Sequence, residues 1–123
     1  MYSSPTILSL YEVNEISTPE RCHIAQAVGL PEEGRFSIAR ARVKPGETTA
    51  WHLLEGITEI YIIFSGQGTV EVGEHPPEKV NPGQLVIIPP GTRQRIKALG
   101  KNDLVFFCVC SPSFEPSRYR SLE

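Results

Sequence analysis

The sequence predicts a single all-β domain, a β-sandwich or barrel, on three observations. At 123 residues the chain has room for one hydrophobic core, because domains most often run to about 100–150 residues. Its eleven prolines and ten glycines punctuate it often, which suits many short strands better than a few long helices. From residue 36 onward, short runs rich in β-branched and aromatic residues alternate with turn clusters.

Residues 1–35 form an N-terminal segment with the least regular pattern. A short strand is predicted at residues 7–11, and a helical turn after residues 17–20, where Ser-Thr-Pro-Glu resembles a helix cap with an acidic first turn. The strand at 7–11 has no obvious hairpin partner nearby, so it would leave a sheet edge to be covered. We therefore expect this segment to act as a dimerisation strand in a homodimer.

Residues 36–110 carry the predicted barrel. Its seven strands are separated by clusters of Gly, Pro, Asn and Asp and are expected at 36–43, 48–54, 59–64, 69–72, 85–88, 93–98 and 104–110. The C-terminal tail, residues 111–123, contains Pro112 and Pro116, which exclude it from a central strand. We expect the tail to lie over the barrel surface.

Charge and hydropathy exclude several classes of partner. A formal net charge of -2 gives no basic footprint for nucleic acid, and no apolar run approaches the roughly 20 residues that span a bilayer. With no export signal recognised, we expect a cytoplasmic protein that binds neither nucleic acid nor membrane.

Two of the three cysteines, Cys108 and Cys110, are spaced to share one face of a strand. They are either a thiolate pair for metal or redox chemistry, or small apolar residues in the barrel wall. The second interpretation is favoured, because free cysteine is among the most buried residue types. We predict that both are reduced and structural.

His52 and Glu59 are the residues most indicative of chemistry. His52 lies on a predicted strand, and Glu59 directly precedes the apolar run at residues 60–64. An ionised carboxylate that enters a barrel interior is costly unless a cation or a hydrogen-bonded partner compensates it.

At these positions the chain resembles the cupin family. Its first motif, G-x5-H-x-H-x3,4-E-x6-G, matches at Gly46, His52, Glu59 and Gly66, with Leu54 at the second histidine place. The second motif, G-x5-P-x-G-x2-H-x3-N, matches at three positions and departs at two. The matches are Gly83, Pro89 and Gly91; Gln94 replaces its histidine and Ala98 its asparagine. The resemblance implies a double-stranded β-helix, or jelly-roll barrel, with a degenerate site.

In cupins the motif residues hold a divalent metal such as iron, manganese, zinc or nickel. Carried over, the resemblance implies metal ligands at His52, Glu59 and Gln94, whereas Leu54 cannot coordinate a metal. The alternative is a hydrogen-bonded polar cluster without metal. The residues leave both interpretations open.

Strand alternation places the pocket around the same residues. If His52, Glu59 and Gln94 face inward, Tyr61 does too, and these four form the polar, ligand-binding corner of a mainly apolar pocket. The register of the strand with Arg40 and Arg42 stays open. Inward arginines would indicate a carboxylate or phosphate ligand, and outward arginines are favoured.

Two functional classes remain. In the first, a small metalloprotein acts on an oxygenated organic molecule; in the second, the barrel binds a small ligand without metal or catalysis. The sequence assigns no catalytic residue and no particular substrate, so enzymatic activity is left open.

Overall fold

The computed structural model describes residues 4–28 and 34–123, and within them nearly all regular structure is β-strand. The all-β prediction is confirmed. The strands are, in chain order, β1 (Ile16–Ser17), β2 (His23–Val28), β3 (Ser37–Val43), β4 (His52–Leu54), β5 (Thr58–Ser65), β6 (Gln67–Val72), β7 (Glu78–Val80), β8 (Leu85–Ile88), β9 (Gln94–Leu99), β10 (Leu104–Ser111) and β11 (Tyr119–Ser121). A 3-10 turn at Pro116–Arg118 precedes the last strand.

Two antiparallel sheets make up the jelly-roll barrel. The six-stranded sheet has the order β1-β2-β3-β10-β5-β8, and the five-stranded sheet has the order β11-β4-β9-β6-β7. Strands β5 and β6 follow each other but belong to different sheets, and the tight connection at Gly66 joins them. Its φ is 79°, and a Cβ there would collide with the backbone of Asp103, so this turn requires glycine.

Strand β3 settles the arginine register. Its burial alternates strictly, with Ala39 and Ala41 buried inside the barrel and Arg40 and Arg42 on the outer face. Outside, Arg42 forms ion pairs with Glu15 at 2.6 Å and with Asp103. The arginines therefore do not enter the barrel, as the sequence favoured.

Inward side chains divide the barrel into a packed end and an open end. Large apolar residues fill the packed end, including Val43, Ile63, Ile96 and Leu104. At the open end, the inward positions of the same strands carry small or polar residues, and a cavity remains between the sheets.

The predicted strand at residues 7–11 is wrong. These residues form no ladder; Ile7 is 99% exposed, and the segment lies over the outer face of the six-stranded sheet. Arg40 donates a hydrogen bond to the Leu10 carbonyl at 2.5 Å, and its guanidinium lies 5.2 Å from the Tyr11 ring centroid. Side-chain contacts, rather than strand pairing, hold this segment, and its role in a dimer stays a prediction.

The predicted helical turn after residues 17–20 is also wrong. Ser17 belongs to β1, and the following residues turn the chain into β2. The Thr18 amide and hydroxyl both donate to the Cys22 carbonyl, which closes a hairpin instead of starting a helix.

Four strands were not predicted: β1, β2, β7 and β11. Strand β7 follows two prolines that resemble a turn, and β11 lies in the tail behind Pro116. The tail does more than cover the surface, because β11 pairs with β4 and extends the five-stranded sheet. The division into 1–35, 36–110 and 111–123 stays a prediction, and residues 1–3 and 29–33 of its first segment lie outside the described residues.

Within the described residues, no helix has the length and apolar character needed to cross a membrane.

Candidate ligand-binding site

The open end of the barrel encloses a cavity of about 610 Å³ between the two sheets. A volume of this order suits a small organic ligand. Its wall comes from the N-terminal hairpin, the inner faces of β2 to β5 and β10, and the tail; among the lining side chains are Cys22, Ile24, Ala39, Ala41, His52, Leu54, Glu59, Tyr61, Phe106, Cys108, Cys110, Phe114 and Tyr119.

Glu59 is the most unusual group in this wall. Its side chain is buried, one carboxyl oxygen (Oε2) accepts a hydrogen bond from the Cys110 thiol at 3.6 Å, and Oε1 has no hydrogen-bond partner among the described residues. Burial raises the pKa of Glu59 to about 7, against the smaller opposing effects of the Gln94 amide and the neighbouring thiols. The carboxyl therefore changes its protonation state near neutral pH.

Tyr61 lies two residues further along β5 and faces the same cavity. Its hydroxyl donates a hydrogen bond to Oε1 of Gln94, and burial raises the pKa of Tyr61 well above its ordinary value. The phenol thus stays protonated and keeps a fixed orientation beside Glu59. Gln94 itself is 1% exposed and is not among the described side chains that line the cavity.

His52 lines the same cavity from the other sheet, directly opposite Gln94 in the β4–β9 ladder. Its Nδ1 lies 2.8 Å from the Ala50 carbonyl, which can only accept, so Nδ1 carries the proton and Nε2 keeps its lone pair. Burial lowers the pKa of His52, which makes the ring neutral at pH 7. The Tyr119 ring stacks on it, with centroids 5.0 Å apart.

Three of the four predicted site residues, His52, Glu59 and Tyr61, therefore line one cavity, while Gln94 supports Tyr61. Leu54 lines the same wall as His52, as the motif spacing requires. Residue 54 thus occupies the place of the family's second histidine and brings a hydrocarbon surface to it.

These residues fit a divalent metal poorly. Gln94 Oε1, the atom that would coordinate, already accepts from Tyr61, and Leu54 supplies no ligand. Across residues 4–28 and 34–123, no group of three or more His, Cys, Asp or Glu side chains is arranged to hold a metal ion. The unpaired Glu59 oxygen fits a proton or a hydrogen-bonding ligand better than it fits such a site.

Sequence reasoning missed the thiols and the tail. All three cysteines are free, which confirms that Cys108 and Cys110 are unpaired, but both line the cavity and Cys110 contacts Glu59. Antiparallel pairing places Cys110 directly opposite Glu59 and Cys108 opposite Tyr61. The inward alternation of the C-x-C pair was a usable signal, whereas nothing local indicated that Tyr119 would stack on His52.

The cupin domain family matches residues 39–110, so the chain belongs to that family. No curated protein sequence matches the chain.

Among solved structures, the barrel is similar to a predicted oxalate decarboxylase from Thermotoga maritima, with a TM-score of 0.78 and 21% identity over 87% of this chain and 99% of that one. It is also similar to Streptomyces PAC13 with uridine, with a TM-score of 0.80 and 14% identity over 98% and 92% of the two chains. Pac13 is described as a nucleoside dehydratase. The cupin domain of Schizosaccharomyces pombe Cnp3 follows, with a TM-score of 0.75 and 18% identity over 85% and 72%. Likenesses at these identities show a common fold.

Proposed function

We propose that this cupin binds a small oxygenated organic molecule in its cavity and that Glu59 exchanges a proton with it, without a metal. The buried Glu59 carboxyl, with one unpaired oxygen and a pKa raised to about 7, carries the proposal. A group whose pKa lies near the working pH serves best as a general acid or base.

The neighbouring side chains suit proton transfer. Neutral His52 presents the lone pair of Nε2 as an acceptor, and Tyr61 keeps its phenol proton, with which it donates a hydrogen bond to Gln94. A ligand hydroxyl can therefore give its proton to the Glu59 carboxylate, or a leaving hydroxyl can receive one from the protonated form. Isomerisation and dehydration are reactions of this kind, and dehydration is the activity described for Pac13.

A divalent metal is the second candidate. The lone pair on His52 Nε2 and the unpaired Oε1 of Glu59 are both suitable donors, and Gln94 would have to release Tyr61 to join them. Iron, manganese, zinc or nickel are the metals that such an imidazole and carboxylate pair would take.

The test compares wild type with Glu59→Gln, and uses Glu71→Gln on the outer surface as the matched control. Ligand-detected NMR of small hydroxylated compounds, nucleosides included, identifies binders, and product formation is then followed for each. We expect turnover in wild type and in Glu71→Gln but not in Glu59→Gln. Turnover that survives in Glu59→Gln contradicts the acid–base role.

Elemental analysis of protein purified without added metal or chelator separates the two candidates. We expect much less than one metal equivalent per chain. A stoichiometric metal that is lost in Glu59→Gln would favour the second candidate instead.

We also propose that the protein is a homodimer, and the exposed apolar side chains on its outer face, rather than residues 7–11, support this. Edge strand β8 exposes Leu85 and Ile87, and Phe64 and Ile62 beside it are partly exposed. An apolar sheet edge of this kind is usually covered. Light scattering that finds a monomer across micromolar concentrations would contradict the dimer.

A further inference from the structure

We propose that the cavity selects an uncharged ligand, a hydroxyl- or N–H-bearing ring compound, and rejects anions. This inference deepens the proposed function and rests on it. It comes from the charges and surfaces that the cavity presents, whichever reaction follows.

The described part of the cavity wall contains acids and no strong base. Among its described lining side chains, Glu20 and Glu59 are the carboxyls, and neither lysine nor arginine occurs. The nearby arginines are paired elsewhere. Arg21, which follows the lining residue Glu20 in sequence, forms an ion pair with Glu123 at 3.1 Å. Arg40 and Arg42 face outward toward Glu15, and Arg95 lies over the Trp51 ring on the far side of the other sheet.

An anion in this cavity would have no counter-charge. A carboxylate or phosphate would lose its water next to the Glu59 carboxyl, and the neutral imidazole of His52 offers no positive charge to compensate. Proteins that bind carboxylates or phosphates generally supply arginine for this purpose. The cavity therefore disfavours oxalate-like and phosphorylated compounds.

A permanent cation is disfavoured for a different reason. It would have to be desolvated deep in a mainly apolar space, with the burial-weakened carboxyl of Glu59 as its partner. Uncharged polar substituents match the remaining polar wall better, since it is made of hydroxyl and amide side chains such as Thr18, Ser37 and Thr49.

The aromatic surfaces indicate a ring. Phe106 and Tyr61 pack with centroids 4.6 Å apart at the floor, and Phe114 and Tyr119 approach from the tail. Aromatic faces at two ends of a cavity favour a planar ligand, and Oε1 of Glu59 can accept a hydrogen bond from its hydroxyl or N–H group.

The thiol of Cys108 provides a reporter that does not depend on knowing the ligand, because this half-buried residue lines the cavity. Three methanethiosulfonates of similar size, carrying 2-hydroxyethyl, 2-sulfonatoethyl or 2-(trimethylammonio)ethyl groups, are reacted with wild-type protein. Tandem mass spectrometry of the peptide measures the rate at Cys108 separately from Cys110. Each rate is divided by the rate for 2-mercaptoethanol, which removes intrinsic differences between the reagents.

We expect the anionic reagent to react at least about tenfold more slowly than the neutral one, since a cleft lined by one sign of charge changes local concentrations by that order or more. The cationic reagent gains from the same field but loses more on desolvation in a mainly apolar cavity, so it should not exceed the neutral one. Glu20→Gln and Glu59→Gln should each lower the ratio of the neutral to the anionic rate at Cys108. Glu71→Gln, outside the cavity, should leave this ratio unchanged.

An anionic reagent as fast as the neutral one overturns the inference, and so does a cationic reagent that is fastest, which would indicate an amine ligand. Burial raises the pKa of Cys108, so all three rates carry the same factor for its small thiolate fraction, and this factor cancels in their ratio. Turnover that persists in Glu59→Gln contradicts the acid–base role alone and leaves this rate ratio standing.

Discussion

The packed end and the open end of the barrel are built from the same strands but with opposite choices of inward residue. Along β10, Leu104 lies in the core, Phe106 belongs to the core and also borders the cavity, and Cys108 and Cys110 line the cavity. Along β3, Val43 belongs to the core and Ala39 to the cavity wall. The difference shows that one ladder can supply stability at one end and binding space at the other.

The two ends also differ in the polarity of their buried groups. At the packed end the inward side chains are apolar, and at the open end Glu59, His52 and Tyr61 line the cavity. Buried polar groups without full partners destabilise a fold. We therefore attribute most of the folding free energy to the packed end.

Truncation of an inward side chain to alanine should give the largest difference in unfolding free energy between the two ends. Leu104 is 0% exposed, so Leu104→Ala should lower the free energy of unfolding by about 2–5 kcal/mol through lost transfer free energy and a new cavity. Cys108→Ala, on the same strand at the open end, should cost less than about 1.5 kcal/mol. Urea unfolding measures both, and equal losses would contradict the division.

The ionisation of Glu59 should be detectable in the pH dependence of the free energy of unfolding. Its folded pKa of about 7 lies above the ordinary value of 4.5, so the folded state holds the proton more tightly. At low pH, Glu59 is protonated in both states and its ionisation does not affect the free energy of unfolding. As pH rises from about 4.5 to 7, that free energy should fall by roughly 3 kcal/mol in all, because the unfolded state loses the proton first. Above pH 7 the loss levels off.

The measurement is the difference in unfolding free energy between Glu59→Gln and wild type. The difference removes the opposite contribution of His52, whose lowered pKa makes the folded state lose stability as pH falls. Between pH 4.5 and 7, the free energy of unfolding of Glu59→Gln should rise relative to that of wild type. A constant difference would mean that Glu59 ionises normally.

Enlarging a small inward residue should also affect the two ends differently, with a smaller change in the free energy of unfolding. Ala98 is fully buried at the packed end, so Ala98→Leu should cost about 1–3 kcal/mol by overpacking. Ala39 borders the cavity, and Ala39→Leu has room there. We expect it to change stability by less than about 0.5 kcal/mol and to abolish ligand binding in the NMR assay; a loss equal to that of Ala98→Leu would show that the cavity is not open.

The last comparison concerns metal affinity at the open end. Leu54→His would place a second imidazole beside His52, where the family has one, and should raise zinc affinity at least about tenfold in calorimetric titration. Leu53→His, one residue away on the opposite face of β4, is the matched control and should change nothing. Unchanged affinity in a folded Leu54→His variant would remove residue 54 from the site.

The sequence by itself determined the all-β barrel and three cavity residues. Turn residues and alternation are local signals, and the spacing of His52, Leu54 and Glu59 places them on neighbouring inward positions once the strands exist. Only the tertiary structure decided the rest: that Ala39 rather than Arg40 faces inward, that Gln94 supports Tyr61, and that Cys22 and Tyr119 close the cavity from the two ends of the chain. Those contacts join residues far apart in sequence. They depend on strand register and on packing across the two sheets, which no local pattern of residues encodes.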